Sequence, residues 1–288
     1  MGVIVCDSAS DLWKDQIQEL NVKVINIPYS LDGEIQTNPL TNEEDHDLFY
    51  DKLKQGVVAK TQPIKKLVLE QFFDELLQKE KEVLFIHMSS ALTTSYSTLQ
   101  KLKDKLSVKY PDSRLYIVDS LQVSMGEGLI VYHASKLHKK GMSLKDVAEE
   151  LESFKQHIAC LVAVNDLSYL KRDAKLSQSV KFAGSLLGVK ALLKCDKSGK
   201  LSKVAVAKGS KTILKKMVDY LTTYGESVAD FPIVVMHSAC EEQAKLLKQE
   251  VVNVVGEDSN VWIQPIGDTV GTHCGPNVIA LIFRAKYR

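Results

Sequence analysis

The sequence predicts an α/β fold in two parts: a mostly parallel sheet flanked by helices, then a mixed or antiparallel α/β unit. Three observations predict it. Strand-like and helix-like runs alternate through the first half. In the second half the turn Asp196-Lys197-Ser198-Gly199 joins two apolar runs as a hairpin. Three successive candidate strands of the first half end in short polar residues, Asp7-Ser8, Ser89-Ser90 and Asp119-Ser120. Parallel strands would bring all three tips to one edge, where open α/β sheets bind ligands.

Taken in order, residues 2–6 form an apolar strand, and the segment DSASDL leads into a helix near 11–20. Residues 22–31 continue as an extended run to a turn at Leu31-Asp32-Gly33-Glu34. Thr41-Asn42-Glu43-Glu44 is a capping box, and the helix behind it stops at Gly56. Leu69, Phe72, Phe73, Leu76 and Leu77 have helical spacing within 67–79. Then come strand 83–88, a helix near 94–108, strand 114–118, a helix over 126–140 closed by Gly141, and a helix from Ser143 to about 157. The boundary between the parts falls here, giving units of 1–157 and 158–288.

The second unit opens on the apolar strand 158–164, followed by DLSYLKRD and a helix through 181–187. The hairpin strands are 189–195 and 201–208. A helix near 210–224, strand 232–237, helix 241–251, strand 261–265 and a closing run at 278–286 complete the chain.

The 288 residues carry a formal net charge of +1, with 37 basic and 36 acidic side chains. No basic field is available for a nucleic acid. The longest apolar runs, 83–88, 158–164 and 278–283, fall far short of the roughly 20 residues that cross a bilayer. MGVIVCDSASD lacks a basic leader, which argues against secretion. Five scattered cysteines have no metal-ligand spacing and suit a reducing, cytoplasmic setting.

Ser89 and Ser90 stand where strand 83–88 gives way to a helix. Hydroxyls and unpaired backbone N–H groups meet there, which suits either ordinary capping or an anion. His273 lies in the Gly-rich turn GTHCGPN before the last strand and is equally placed for structure or for donating to a carboxylate or phosphate. Lys171, Arg172, Lys175 and Lys208 are solvated surface or a docking face for a phosphate or an acidic partner. Walker, G-x-G-x-x-G, G-x-S-x-G and H-E-x-x-H patterns are absent. A Ser–His acyl hydrolase would pair Ser89 or Ser90 with His273, oriented by Asp7 or Asp119. A small-anion module would use the same helix start.

Seven segments occur in an order that resembles the DegV family of bacterial fatty-acid-binding proteins. They are DSASDL at 7–12, Lys60-Thr61-Gln62-Pro63, SSALTTSY at 89–96, VDSLQVSMGEG at 118–128, DLSYLKRDAKLS at 166–177, LLGVKALLKCDKSGKL at 186–201 and GTHCGP at 271–276. The resemblance implies a two-domain DegV-like protein with one long-chain fatty acid buried between the lobes. It implies an apolar tunnel for the tail and a carboxylate held by Ser90, Thr61 and His273, with Ser89 assisting. It also implies presentation of that carboxylate to a separate fatty acid kinase that makes an acyl phosphate, with no catalytic centre and no cofactor in the binding protein, and contact with membrane lipid that is at most peripheral.

The chain departs from the family pattern at four places. Thr-Ser-Gln-Pro becomes Lys-Thr-Gln-Pro, so either Thr61 or Lys60 serves the head group. Ser-Gly-Thr becomes Thr93-Thr94-Ser95. Gly-Gly-Arg becomes Asp173-Ala174-Lys175, and an arginine near the second hairpin becomes Lys208. Arginines at the last two places are implicated in kinase docking, and lysine keeps the charge without the bidentate fork.

Overall fold

The computed structural model describes residues 2–37, 43–172, 189–228 and 231–288. The expected parallel sheet forms from β1 (Gly2–Asp7), β2 (Val22–Ile25), β6 (Glu82–His87) and β7 (Arg114–Asp119) in the order β2-β1-β6-β7. Every pairing in it is parallel. The three polar tips therefore do share one edge.

The mixed sheet has the order β10-β9-β8-β13-β11-β12, built from β8 (Ile158–Val164), β9 (Val189–Cys195), β10 (Leu201–Lys208), β11 (Ile233–His237), β12 (Val261–Pro265) and β13 (Ile279–Arg284). Its central strands are apolar throughout because both faces are covered. On β8, Ile158, Cys160 and Val164 join the largest apolar cluster, while Ala159, Leu161 and Ala163 pack into a second cluster on the opposite face. Helices α8 (Ser210–Tyr224) and α9 (Glu241–Val255) cover that second face through Met217, Leu221, Leu247 and Val251.

Between the two sheets lies helix α5 (Met125–Lys139), whose Met125, Leu129, Ile130 and Val131 are fully buried. Its Gly128 allows a close approach: a Cβ there would sit 2.8 Å from the Ser10 carbonyl oxygen. The largest cluster runs from Ile4 and Leu84 of the parallel sheet through this helix to Val234 and Ile282 of the mixed sheet. One continuous core thus crosses the 157/158 position.

Two features depart from the expected elements. The run 22–31 divides at Pro28, which has no N–H for a ladder. Its second half, β3 (Tyr29–Leu31), joins a small antiparallel sheet β4-β3-β5 with β4 (Glu34–Gln36) and β5 (Ala59–Thr61). Asp32 and Gly33 both take positive φ in the β3–β4 turn, the geometry that Asp-Gly favours in a two-residue hairpin. Second, the GTHCGPN segment is not all turn. Residues Asp268–Cys274 form helix α10, and Gly275 at φ 71° ends it. His273 is therefore a helical residue.

The first helix starts at Lys14, not near 11, because Asp11 takes a left-handed φ of 54° and closes a short 3-10 turn. Helix α2 (Glu43–Lys54) forms behind the predicted capping box, of which Thr41 and Asn42 lie outside the described residues. The predicted helix through 181–187 also lies outside them.

The β9–β10 turn is bolted to the tip of β6. Ser89 Oγ donates to the Gly199 carbonyl at 2.9 Å, and Gly199 sits at φ 77°. A Cβ at 199 would collide with Ser89 Oγ and stand 3.1 Å from Leu121 Cα. Gly199→Ala combines left-handed strain with a displaced buried hydrogen bond, so it should cost about 2–4 kcal/mol. Urea unfolding followed by circular dichroism checks this; a midpoint matching the wild type would refute it.

Candidate functional site

The buried Asp7 carboxylate organises the ligand edge of the parallel sheet. One oxygen accepts from the Ala9 N–H at 3.0 Å; the other accepts from the Met88 N–H at 3.0 Å and from the His87 Nδ1–H. Asp119 does similar work at the next tip, accepting from the Ser90 and Leu121 N–H groups at 3.1 and 3.0 Å. The acidic tips are thus spent on holding the loops that leave the strands.

Those loops wall an apolar cavity of about 240 Å³. The β2–β3 connection and the one from β5 to helix α3 (Lys66–Leu77) contribute Ile27 and Ile64, and the loop after β6 contributes Met88 and Leu92. The mixed sheet contributes Val162 and Val164 of β8, and α10 contributes Val270 and Cys274. Strand alternation explains β8: the residues on one face, 160, 162 and 164, line the cavity, while 159, 161 and 163 face the second core.

A polar group stands in the wall where the two halves of the chain meet. Thr61 Oγ1 and His273 Nε2 share a hydrogen bond of 2.9 Å, joining β5 to α10 across 212 positions of sequence. Both line the cavity. Thr269 of α10 is also in the wall and takes a hydrogen bond of 2.9 Å from Ser8, whose oxygen accepts the Ile27 N–H. Thr93, Thr94, Ser95 and His87 add a second polar stretch at the start of α4 (Tyr96–Lys109).

Of the residues singled out from sequence, Thr61 and His273 are brought together. Lys60 is exposed on the opposite face of β5, so alternation gives the cavity to Thr61. Ser89 is fully buried outside the cavity wall, held to Gly199, and its oxygen also accepts the Ala91 N–H at 3.3 Å. Ser90 is half-buried and likewise outside the wall. Lys208 is exposed at the end of β10, and Lys175 lies outside the described residues. His87 and Ser95 also line the cavity and were not singled out from the sequence. The available signal was a lone imidazole ending an otherwise apolar strand beside the Asp7 tip.

Asp11 ties the two halves beside the cavity. Ser124 Oγ donates to it at 2.6 Å and the Gly267 N–H at 3.2 Å, and its carbonyl oxygen accepts from Gln264 at 2.6 Å. Burial pushes its carboxyl up to about 8; the Ser124 and Gly267 donors oppose the rise, and nearby Asp268 and Asp7 add to it. The folded chain then holds a proton that the unfolded chain releases near pH 4. This contribution to stability is complete below about pH 4 and fades as pH climbs through about 8. Asp11→Asn should therefore gain on the wild type in urea unfolding as pH rises from 5 to 9. A difference independent of pH would refute this.

No helix among the described residues is long and apolar enough to cross a membrane, and none of their His, Cys, Asp and Glu groups has the arrangement of a metal site. The architecture is that of an α/β protein with an apolar cavity and a polar wall at the junction of its halves.

A family model described as "Uncharacterised protein, DegV family COG1307" matches residues 2–286. The chain belongs to the DegV family. It is 29% identical over 281 residues to a DegV domain-containing protein of Clostridium perfringens, covering 98% of this chain and 96% of that one. A Streptococcus pyogenes relative is 28% identical, with 96% of each chain covered. A DegV lipid-binding protein from Thermotoga maritima superposes with a TM-score of 0.84 at 19% identity, over 100% of this chain and 99% of its own. A Thermus thermophilus family member whose structure is described for fatty acid binding gives 0.84 at 24% identity, covering 99% of each chain. These superpositions show a common fold.

Proposed function

We propose that this protein binds one long-chain fatty acid without covalent attachment. The tail occupies the apolar cavity and the carboxylate meets Thr61 and His273. The observation that carries the reading is this hydroxyl–imidazole pair set in the wall of an otherwise apolar cavity. Burial of a methylene is worth about 0.8 kcal/mol, so the tail supplies most of the affinity. A buried carboxylate needs directed donors, and Thr61 and His273 can both donate to it. The fatty-acid-binding descriptions of the Thermus thermophilus and Bacillus subtilis family members support the choice of ligand.

In this reading residues 1–157 and 158–288 act as two lobes with the ligand between them, in the cytoplasm. The carboxylate is offered to a fatty acid kinase that forms the acyl phosphate. Lys208 and Lys175 supply positive charge for docking that enzyme, and contact with membrane lipid is peripheral.

Displacement of a fluorescent fatty acid tests the head-group assignment. Thr61→Val keeps the side-chain shape and removes the hydroxyl; His273→Ala removes the imidazole. Each should weaken binding about 10-fold, the value of one hydrogen bond to a charged group. A double variant that binds as tightly as the wild type would remove both residues from the site. Native mass spectrometry of the freshly purified protein should show a fatty acid at about one per chain, and a wholly unliganded protein that binds none on addition would refute the reading.

A further inference from the structure

The polar stretch opposite the apolar wall has an order that head-group binding does not require. Asp7 accepts from His87 Nδ1–H, and His87 Nε2 lies 2.7 Å from Ser95 Oγ. A neutral imidazole that gives its Nδ1 proton to a carboxylate keeps the Nε2 lone pair for the serine O–H. Thr93 Oγ1, 3.1 Å from Ser95 Oγ, then donates to the serine oxygen. Two aromatic rings stack with the imidazole as well. Phe85 stacks on it with centroids 5.3 Å apart, and Tyr96 stacks parallel to within 2° at 6.2 Å. Asp7 is fully buried and His87 nearly so, while Ser95 is half-buried, and His87 and Ser95 both face the cavity.

Ser95 precedes the first residue of α4, where a serine ordinarily caps the helix. Its side chain makes no capping hydrogen bond. The hydroxyl is turned to His87 instead, which leaves the N–H groups of Tyr96, Ser97 and Thr98 without a side-chain cap from it and without partners inside the helix. A serine paired with a carboxylate-oriented imidazole, in the wall of an apolar cavity, is the arrangement that acyl transfer needs.

We infer that Asp7, His87 and Ser95 form a nucleophilic centre that cleaves long-chain acyl esters. Ser95 Oγ bonds to the ester carbon as its proton passes to His87 Nε2. The bond from that carbon to the alcohol oxygen breaks, and the alcohol leaves with the proton from His87. Water then adds to the acyl carbon, giving a proton to His87. The bond to Ser95 breaks and the serine recovers that proton. Asp7 holds the imidazole tautomer throughout. The product is a free fatty acid in the cavity that would bind it. The acyl length of the substrate rests on the fatty-acid reading, whereas the nucleophile does not.

The test is a short-chain fluorophosphonate, which reacts with activated serines and needs no acyl tunnel. Intact-protein and peptide mass spectrometry should show one adduct, on Ser95. The adduct should be lost in Ser95→Ala, and its rate of formation should fall about 100-fold or more in His87→Gln. Hydrolysis of p-nitrophenyl palmitate should follow the same pattern. Fatty acid binding is measured on the same wild-type sample. Binding without any Ser95 adduct overturns this inference and leaves the carrier reading in place. A Ser95 adduct without binding does the reverse. The wild-type labelling result stands alone if His87→Gln fails to fold.

Discussion

The buried Asp7 carboxylate at the end of the central strand is the constraint from which the ligand edge follows. A carboxylate with no exposure to water must find donors or lose its charge. Asp7 finds three, and each belongs to a different structural task. The Ala9 N–H starts the 3-10 turn after β1. The Met88 N–H fixes where the chain leaves β6, and the His87 ring reaches on to the start of α4. Leaving a buried acceptor unpaired costs about 1–3 kcal/mol, so satisfying this one side chain sets the course of three loops. Glu127, fully buried in the first turn of α5, answers the same pressure differently. Burial and the nearby Asp7 and Asp11 push its carboxyl well above the usual range.

With that edge fixed, the cavity is a consequence of layers that cannot close. Helix α5 fills the space between the two sheets along most of their length. Beyond its first turn, at the ligand edge, no helix among the described residues continues that layer. The small antiparallel sheet and α10 cover the opening instead, and Thr61 to His273 is where they meet. The wall is apolar where it borrows the inner face of the mixed sheet and polar where helix starts and the β5 edge contribute. An amphipathic cavity follows from this geometry without any single specialised motif.

The regular elements were legible because their signals are local. Apolar runs bounded by turns gave the strands of both sheets, and the Asp-Lys-Ser-Gly turn gave the hairpin. The small sheet was hidden because its strands are three residues long, too short to show alternation. His273 read as a turn residue because glycines flank its segment, yet tertiary packing of Thr269, Gly271 and Thr272 holds it helical. Which of Lys60 and Thr61 faces the cavity needed only the strand assignment, after which alternation decides it. Ser89 was open to two readings for a different reason. A serine after a strand tip serves a ligand or the fold with equal ease, and only the distant Gly199 turn, 110 residues away, shows which.

The same limit explains why Ser95 was passed over. Its neighbours in sequence, Thr93 and Thr94, also carry hydroxyls, and any of the three suits a helix start. What separates Ser95 is a partner on β6 whose orientation is set by a carboxylate on β1. Such an arrangement exists only after β1 and β6 have paired in parallel. A local pattern search detects hydroxyls at a helix start, but a relay from Asp7 through His87 is a property of the sheet edge. The two polar stretches of the wall consequently differ in kind. Thr61 and His273 are donors joined across the halves of the chain, suited to receiving a charged head group. Asp7, His87 and Ser95 all lie in the first half and form a directed chain, in which each bond fixes the proton position of the next.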